Sequence, residues 1–353
     1  MLVPIYLMVH PPAGQMVHNF VVPGFPHGAQ VSTVMLLIIG IVGTTVAPWQ
    51  LFFQQSYVID KRITPRFINY ERADLWIGIG IVVVGAAAMF GFSAAVFAGH
   101  PQFGNFTDAA GVAAGLGKYV SHLAGVLFAI ALLDASIIGA SAVGLATAYA
   151  SSDVLGVSHS LHRPVTKAKG FYACYAGLIV LAGALVLLPG VPLGLLTEGV
   201  QTLAGVLLPS AVVFLLLLCN DKAVLGPWVN GRKLNVASAA LVWVLVLLSV
   251  ILTTSVLFPA ITGPQIEAVL AAGTAVGLAV GLFVWVGSRR NARRTLTVPI
   301  EWDKRDTWRM PPLHLLGKPA LSTQRKVGLI VLRGYLLVAF ILVVVKVVEV
   351  AVK

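Results

Sequence analysis

The sequence predicts an all-α polytopic membrane protein, and its composition, its segment lengths and its charge distribution each support this fold class. Of the 353 residues, 58% are hydrophobic and only 10% are charged, whereas soluble domains carry about 25% charged residues. The mean hydropathy is +0.92. Apolar segments long enough to cross a bilayer recur along almost the whole chain, so we expect the lipid bilayer to be its solvent.

Eight apolar segments are predicted to span the membrane, since each approaches the roughly 20 residues that a spanning helix needs. They lie at 31–57, 74–99, 118–150, 170–189, 196–219, 236–258, 265–288 and 327–350. Residues 1–9 form an apolar piece of about half that length. We interpret residues 1–30 as the remnant of a helix followed by an extracellular loop.

Basic residues mark alternate loops. Twenty of the 24 Lys and Arg residues lie in the four segments 61–72, 163–169, 222–233 and 289–326. The positive-inside rule predicts that these segments are cytoplasmic in a multi-pass protein of the cell membrane. The net charge of +11 is therefore a topological signal, and we expect no nucleic-acid partner. Residues 289–326 are predicted to be a cytoplasmic linker, with Trp302 and Trp308 at the membrane interface, before a last helix in 327–353.

The first predicted span, 31–57, carries a helix-breaking signal at its centre. Gly43, two threonines and Pro48 interrupt the apolar run at membrane depth. Pro48 has no N–H and therefore frees a carbonyl about one turn earlier, near Thr44. Such a carbonyl is costly in hydrocarbon unless protein, water or an ion satisfies it. We predict a discontinuous helix, which is typical of ion sites in secondary transporters; a proline kink that serves packing alone is the alternative.

Two further polar residues at membrane depth are candidates for an ion pathway. Asp134 lies in the middle of the 118–150 segment, and Gln201 lies near the start of the 196–219 segment. Ionisable groups at this depth are rare and usually functional, although a structural carboxylate capped by hydroxyls of a neighbouring helix is the alternative for Asp134. The sequence contains no phosphate-binding glycine loop, nucleophile–base arrangement or His/Cys metal motif, so we do not expect an enzyme.

Residues 43–56, Gly-Thr-Thr-Val-Ala-Pro-Trp-Gln-Leu-Phe-Phe-Gln-Gln-Ser, resemble the sixth helix of the NRAMP divalent-metal transporters. The family pattern there is Gly-Ala-Thr-Val-Met-Pro-His-Asn. Leu127–Leu133 is similar to the family's eighth helix, and Thr197–Asp221 is similar to its tenth. The resemblance covers nearly the whole chain up to about residue 290.

The resemblance implies a LeuT-like fold of two inverted five-helix repeats that bind the metal between their broken first and sixth helices. It assigns residues 31–220 to the second repeat and residues 221–288 to two further transmembrane helices. We expect the chain to lack the first repeat apart from residues 1–9. That repeat would supply the Asp-Pro-Gly-Asn motif, whose carboxylate is needed to complete the site.

The resemblance also implies a set of site residues. The Thr44 carbonyl, Ala47 and Gln50 match the family's ligand-bearing positions. The family's methionine falls on Ala47, and its histidine falls on Trp49, which cannot carry a proton. Asp134 stands where the family has alanine. Because a soft thioether is lost and room for water is gained, the chain looks like the NRAMP-related magnesium branch, with Mg²⁺ or Mn²⁺ as substrate and no proton coupling.

Three alternatives remain open. The first is an ordinary proton-coupled Mn²⁺/Fe²⁺ transporter. The second is an amino-acid permease of the same inverted-repeat architecture, in which the N-terminus of a half-helix binds a carboxylate. The third is a membrane fragment that does not transport. None of these readings requires a cofactor other than the transported cation.

Overall fold

The structure is a computed structural model that describes residues 1–22, 31–104, 108–257, 261–291 and 307–311, with 329–330, 332–334, 336–338 and 341. All regular secondary structure within these residues is helical, which confirms the predicted all-α class. Most of the predicted last span, 327–350, lies outside the described residues, and so does Trp302.

Twelve α-helices are delimited between residues 1 and 291, and the described residues between 329 and 341 are helical as well. The twelve are α1 (Leu2–Val9), α2 (Ala13–Val21), α3 (Val31–Thr45), α4 (Pro48–Asp60), α5 (Ile68–Phe97), α6 (Ala109–Tyr119), α7 (His122–Leu155), α8 (Lys169–Leu187), α9 (Leu193–Leu218), α10 (Lys222–Leu225), α11 (Arg232–Leu257) and α12 (Gly263–Asn291). Short 3₁₀ turns occupy Pro65–Phe67, Val165–Lys167 and Gly226–Trp228. Six helices within the described residues, α5, α7, α8, α9, α11 and α12, are long and apolar enough to cross a membrane. The polytopic prediction is therefore confirmed.

Two helices lie where the sequence predicts loops. Residues 13–21 of the predicted extracellular loop form α2, and residues 109–119 form α6. The Asp108 carboxylate caps α6 by accepting a hydrogen bond from the Gly111 N–H at 2.6 Å, while Ser121 caps α7. The predicted span 118–150 therefore begins in the last two residues of α6 and continues as α7, because the Ser121 N-cap starts a new helix inside the apolar run.

The chain divides into two compact units, of which the first comprises Met1–Gly24 and Trp49–Glu198. Its apolar core joins α1, α5, α6 and α7, and it is made by Ile5, Phe92, Val96, Phe97, Leu116, Ala124 and Phe128. Ile5 is fully buried, so the short helix α1 is an integral part of this core.

Helices α6 and α7 of the first unit approach each other at backbone distance. A Cβ atom on Gly125 would lie 2.7 Å from the Ala113 carbonyl oxygen and 3.1 Å from the Gly117 backbone. Real side chains do not make such contacts, so only the hydrogen of glycine fits there. Small residues of this kind let membrane helices pack closely.

The second unit comprises Phe25–Pro48 and Gly199–Lys353. Buried Ile251 and Ile266 join α11 and α12 and pack with residues of α3. The ends of α9 and α11 are tied by a reciprocal amide pair: Asn220 donates to the Asn235 side-chain oxygen at 2.9 Å, and Asn235 donates back at 2.6 Å. These contacts gather α3, α9, α11 and α12 into one body.

Trp308 packs onto the loop between α10 and α11. Its indole ring occupies the space that a Cβ on Gly226 would take, and its Nε1–H donates to the Val224 carbonyl at 3.4 Å. Trp308 is half-buried within the second unit, and its place at the membrane interface stays a prediction.

We predict that Gly125→Ala lowers the stability of the α6–α7 pair. The added methyl meets backbone atoms that cannot move aside, and overpacking of this kind costs about 1–3 kcal/mol. Gly117→Ala is the matched control, because a Cβ at Gly117 meets nothing within 4 Å. The apparent melting temperature of the detergent-solubilised protein should fall for Gly125→Ala and stay level or rise for Gly117→Ala. Equal melting temperatures would contradict the close approach.

Candidate functional site at a helix break

The first predicted span is broken at its centre, as the sequence predicts. Helix α3 ends at Thr45 and α4 begins at Pro48, which leaves Val46 and Ala47 between the two helices. Pro48 occupies the first position of α4, where its missing N–H removes no helical hydrogen bond. With 15 and 13 residues, the helices are about 22 Å and 20 Å long, shorter than the roughly 30 Å hydrocarbon core. Both helices therefore have an end at the break.

The end of α3 presents oxygen atoms. The Thr44 hydroxyl donates to the Gly40 carbonyl at 2.5 Å, and the Thr45 hydroxyl donates to the Ile41 carbonyl at 2.8 Å. Each hydroxyl proton is therefore directed back along the helix, while the oxygen keeps its acceptor capacity. The last carbonyls of α3 also have no partner within their own helix. This end of α3 is suited to a cation or to the hydrogens of water.

Helix α3 lies in backbone contact with α9. Gly43 is buried, and a Cβ there would overlap the Gln201 carbonyl oxygen and lie 2.5 Å from the Gly205 nitrogen. Glycine at position 43 is therefore required by packing as well as by the break. The contact brings Gln201, a candidate from the sequence, to the helix that carries Thr44.

A second proline affects the turn of α9 that meets α3. Pro209 lies inside α9 and is fully buried. Because it has no N–H, it cannot donate to the Gly205 carbonyl four residues earlier. The turn that contacts Gly43 thus contains a carbonyl that lacks its usual helical donor. The Gly-x-x-x-Pro spacing at 205–209 in the sequence indicates a turn that lacks one helical hydrogen bond. Only the packing shows that this turn meets Gly43.

Ala47 lies between the two helices of the break and is 3% exposed. Nearby residues are more exposed to solvent than Ala47, since Val46 is 41% exposed and Thr44 is also exposed. A longer side chain at position 47 would therefore have to share a closely surrounded space. Thr44, Ala47 and Gln201 all belong to the second unit.

Trp49 and Gln50 lie in the first turn of α4, which belongs to the first unit. Both are half-buried. The Trp49 ring lies 6.2 Å from Phe53, and Phe53 stacks on Tyr57 with ring centroids 5.0 Å apart. Trp49 is thus the first ring of an aromatic row along α4.

Asp134 lies exposed on α7 in the first unit. Its neighbours Leu133 and Ile137 are 62% and 60% exposed, so the carboxylate lies on an apolar face of the helix. Thr44, Ala47 and Gln201 belong to the second unit. Its place in an ion pathway stays a prediction.

The oxygen atoms described at the end of α3 and at its contact with α9 belong to neutral groups, namely the Thr44 and Thr45 hydroxyls and the Gln201 backbone carbonyl. Hard cations such as Mg²⁺ prefer oxygen ligands and keep several of their waters. Among the residues that the structure describes, no three or more His, Cys, Asp or Glu side chains form a group that could hold a metal. Neutral oxygens are a type of ligand that a partly hydrated hard cation accepts.

Comparison with known families adds an independent observation. A family model described as natural resistance-associated macrophage protein-like matches residues 2–255. The match extends from α1 almost to the end of α11, and it includes the break and all of α9. A search of curated proteins finds no significant match.

We predict that Gly43→Ala separates α3 from α9. The new methyl meets the Gln201 and Gly205 backbone, and the strain should cost about 1–3 kcal/mol. Gly40→Ala, one turn earlier on α3, is the control because a Cβ there meets nothing within 4 Å. Thermal unfolding of the two variants measures the difference. A Gly43→Ala protein as stable as Gly40→Ala would show that the two helices do not touch at this point.

Proposed function

The chain belongs to the natural resistance-associated macrophage protein-like family of divalent-metal transporters, and we propose that its substrate is Mg²⁺, carried without proton coupling. The observation that carries this proposal is the pair of residues on either side of Pro48. Ala47 stands in place of the family's methionine, and Trp49 stands in place of its histidine.

Ala47 supports a hard cation as substrate. A thioether is a soft ligand that suits transition metals, so its absence removes that preference. The methyl group of alanine supplies no ligand atom, and it leaves more room than a methionine side chain for a water molecule. Mg²⁺ dehydrates reluctantly and usually keeps several waters in protein sites. Mn²⁺, which also accepts oxygen ligands, is a possible second substrate.

The oxygen groups near the break would hold such an ion. In this proposal the Thr44 carbonyl contacts the cation or one of its waters, and the Gln50 amide hydrogen-bonds a bound water. Gln201 lies on α9, whose Gly205 turn adjoins α3 at Gly43. Asp134 adds a hard carboxylate to the ion pathway, which is the usual role of an ionisable group at membrane depth.

Trp49 supports transport without a coupled proton. The indole N–H is a donor only and does not titrate, so this residue cannot accept a proton and release it on the other side. Histidine titrates near neutral pH and commonly serves as a proton shuttle. The exchange of one for the other removes a proton carrier next to the ion.

The connectivity of the chain supports a movement centred on the break. One of the three points at which the chain passes from one compact unit to the other lies between Pro48 and Trp49, so α3 and all of α4 after Pro48 belong to different units. Alternating access in transporters with broken helices is largely a rocking of one bundle against another. We propose that the backbone at Val46 and Ala47 bends during this movement.

We further propose that the protein lies in the cell membrane with its basic loops in the cytoplasm, as the distribution of Lys and Arg indicates.

The substrate is tested with the full chain reconstituted in liposomes, by following Mg²⁺ and Mn²⁺ uptake together with internal pH. We expect Mg²⁺ uptake without acidification, because no proton carrier adjoins the ion. Protein-free liposomes are the control. Uptake of Mn²⁺ alone, accompanied by acidification of the liposome interior, would contradict the magnesium proposal and favour a proton-coupled transporter.

The role of Ala47 is tested by Ala47→Met. The added thioether should shift selectivity several-fold towards softer ions, measured as the ratio of Mn²⁺ to Mg²⁺ uptake. Val46→Met is the matched control, because it places the same side chain one residue away at an exposed position. If both variants keep the original ratio while remaining folded, Ala47 does not lie at the ion.

A further inference from the structure

Asp60, the last residue of α4, is held by three hydrogen bonds. The Tyr149 hydroxyl of α7 donates to its Oδ2 atom at 2.6 Å, and the Leu161 N–H donates to the same atom at 2.9 Å. The Ser160 hydroxyl donates to Oδ1. The donors come from α7 and from the segment that follows it, so the carboxylate links α4 to a distant part of the chain.

The position of Asp60 is unfavourable for α4 alone. A negative charge at a helix C-terminus opposes the helix dipole, so local structure does not account for this residue. The three hydrogen-bond partners account for the carboxylate at this position, because hydrogen bonds to a charged acceptor are roughly twice as strong as those between neutral groups. Burial raises the pKa of the Asp60 carboxyl, but the bonds from Ser160, Tyr149 and Leu161 lower it, and the resulting pKa lies below its usual value. The group is therefore ionised at neutral pH.

Apolar packing accompanies these hydrogen bonds. Tyr149 is 1% exposed, and its ring lies 5.0 Å from that of Phe171 in α8. Phe53 of α4 packs against the same cluster. Helix α4 is thus attached to α7 and α8 both by its aromatic face and by its terminal carboxylate.

The aromatic row of α4 connects the break to this attachment. Trp49, Phe53 and Tyr57 follow one another at intervals of four residues, and the Lys61 ammonium lies 4.3 Å from the centre of the Tyr57 ring. Residues four apart lie on one face of a helix. The same face therefore runs from the break to the end of α4, where Asp60 is bound.

We propose that Asp60 is a latch that fixes α4, the second half of the broken helix, to α7 and α8 so that the three helices move as one body. The part of this inference that concerns transport rests on the proposed function. With the latch closed, the end of α4 cannot separate from α7, so a displacement of α4 at the break is transmitted to α7. With the latch open, the end of α4 moves independently, and a displacement at the break no longer reaches α7.

The test is hydrogen–deuterium exchange of the full chain, with the Leu161 amide and the last turn of α4 as probes. Asp60→Asn removes the charge and turns an N–H towards groups that are themselves donors. We expect about tenfold faster exchange at these probes, since hydrogen bonds to charged groups carry that much protection. Tyr149→Phe keeps the ring and removes one donor, so a smaller increase is expected, with no further increase in the double variant.

Asp153→Asn is the matched control, because this exposed carboxylate lies in the same region but pairs with His159 at 3.2 Å. It should leave exchange in α4 unchanged. If Asp60→Asn does not fold, the exchange rates of Tyr149→Phe alone test the proposal. Unchanged exchange at Leu161 in every folded variant of Asp60 or Tyr149 would overturn the latch.

A second readout separates a latch from a merely stabilising contact. In liposomes, Asp60→Asn should lower maximal Mg²⁺ uptake at least fivefold while the half-saturating concentration stays constant, because the residues at the break are untouched. Faster exchange with normal uptake would overturn the role in transport. If the unmodified protein carries neither Mg²⁺ nor Mn²⁺, the proposed function fails, whereas the exchange measurement still decides whether Asp60 closes the latch.

Discussion

The need to satisfy backbone polar groups at membrane depth governs this structure. Pro48 cannot continue α3, and the chain responds by ending one helix and starting another rather than by bending a single one. Val46 and Ala47 lie outside both helices, and the Val46 N–H donates to the Val42 carbonyl at 3.0 Å, so the protein itself supplies one of the partners that backbone groups need away from water. A break of this kind persists only when protein, water or an ion supplies those partners. The position of the candidate site follows from this requirement.

Close backbone approach is the second feature on which the fold depends. Gly43 and Gly205 bring α3 against α9 in one unit, while Gly125 brings α7 against α6 in the other. Lipid offers no hydrophobic force between helices, so small residues that permit dense packing must supply the attraction. The two contacts also differ. The α6–α7 contact joins helices adjacent in sequence, whereas the α3–α9 contact joins helices about 160 residues apart and gathers the oxygens near the break.

Local features of this protein could be predicted from its sequence, and long-range ones could not. The break at Pro48 follows from one residue and its lack of an N–H. The six long apolar helices of the described residues correspond to six of the eight spans that hydrophobicity predicts. Helix α6 was missed because 11 residues are too few to span a bilayer. The contact of Gly43 with α9 depends on packing register, which no single segment encodes. Asp60 stands beside Lys61 and Arg62, so in sequence it resembles a solvated loop charge.

The break also has an electrical polarity. The end of α3 carries about half a negative elementary charge, and the start of α4 carries about half a positive one, and only Val46 and Ala47 stand between the two ends. A cation at this point would be attracted by the C-terminus of α3 and repelled by the N-terminus of α4. A zwitterion, which carries both charges, could be attracted by both ends. Water can bridge the unfavourable side by turning its oxygen towards the N–H groups of α4. For the cation proposed as substrate, this polarity would make retained water of hydration a component of selectivity.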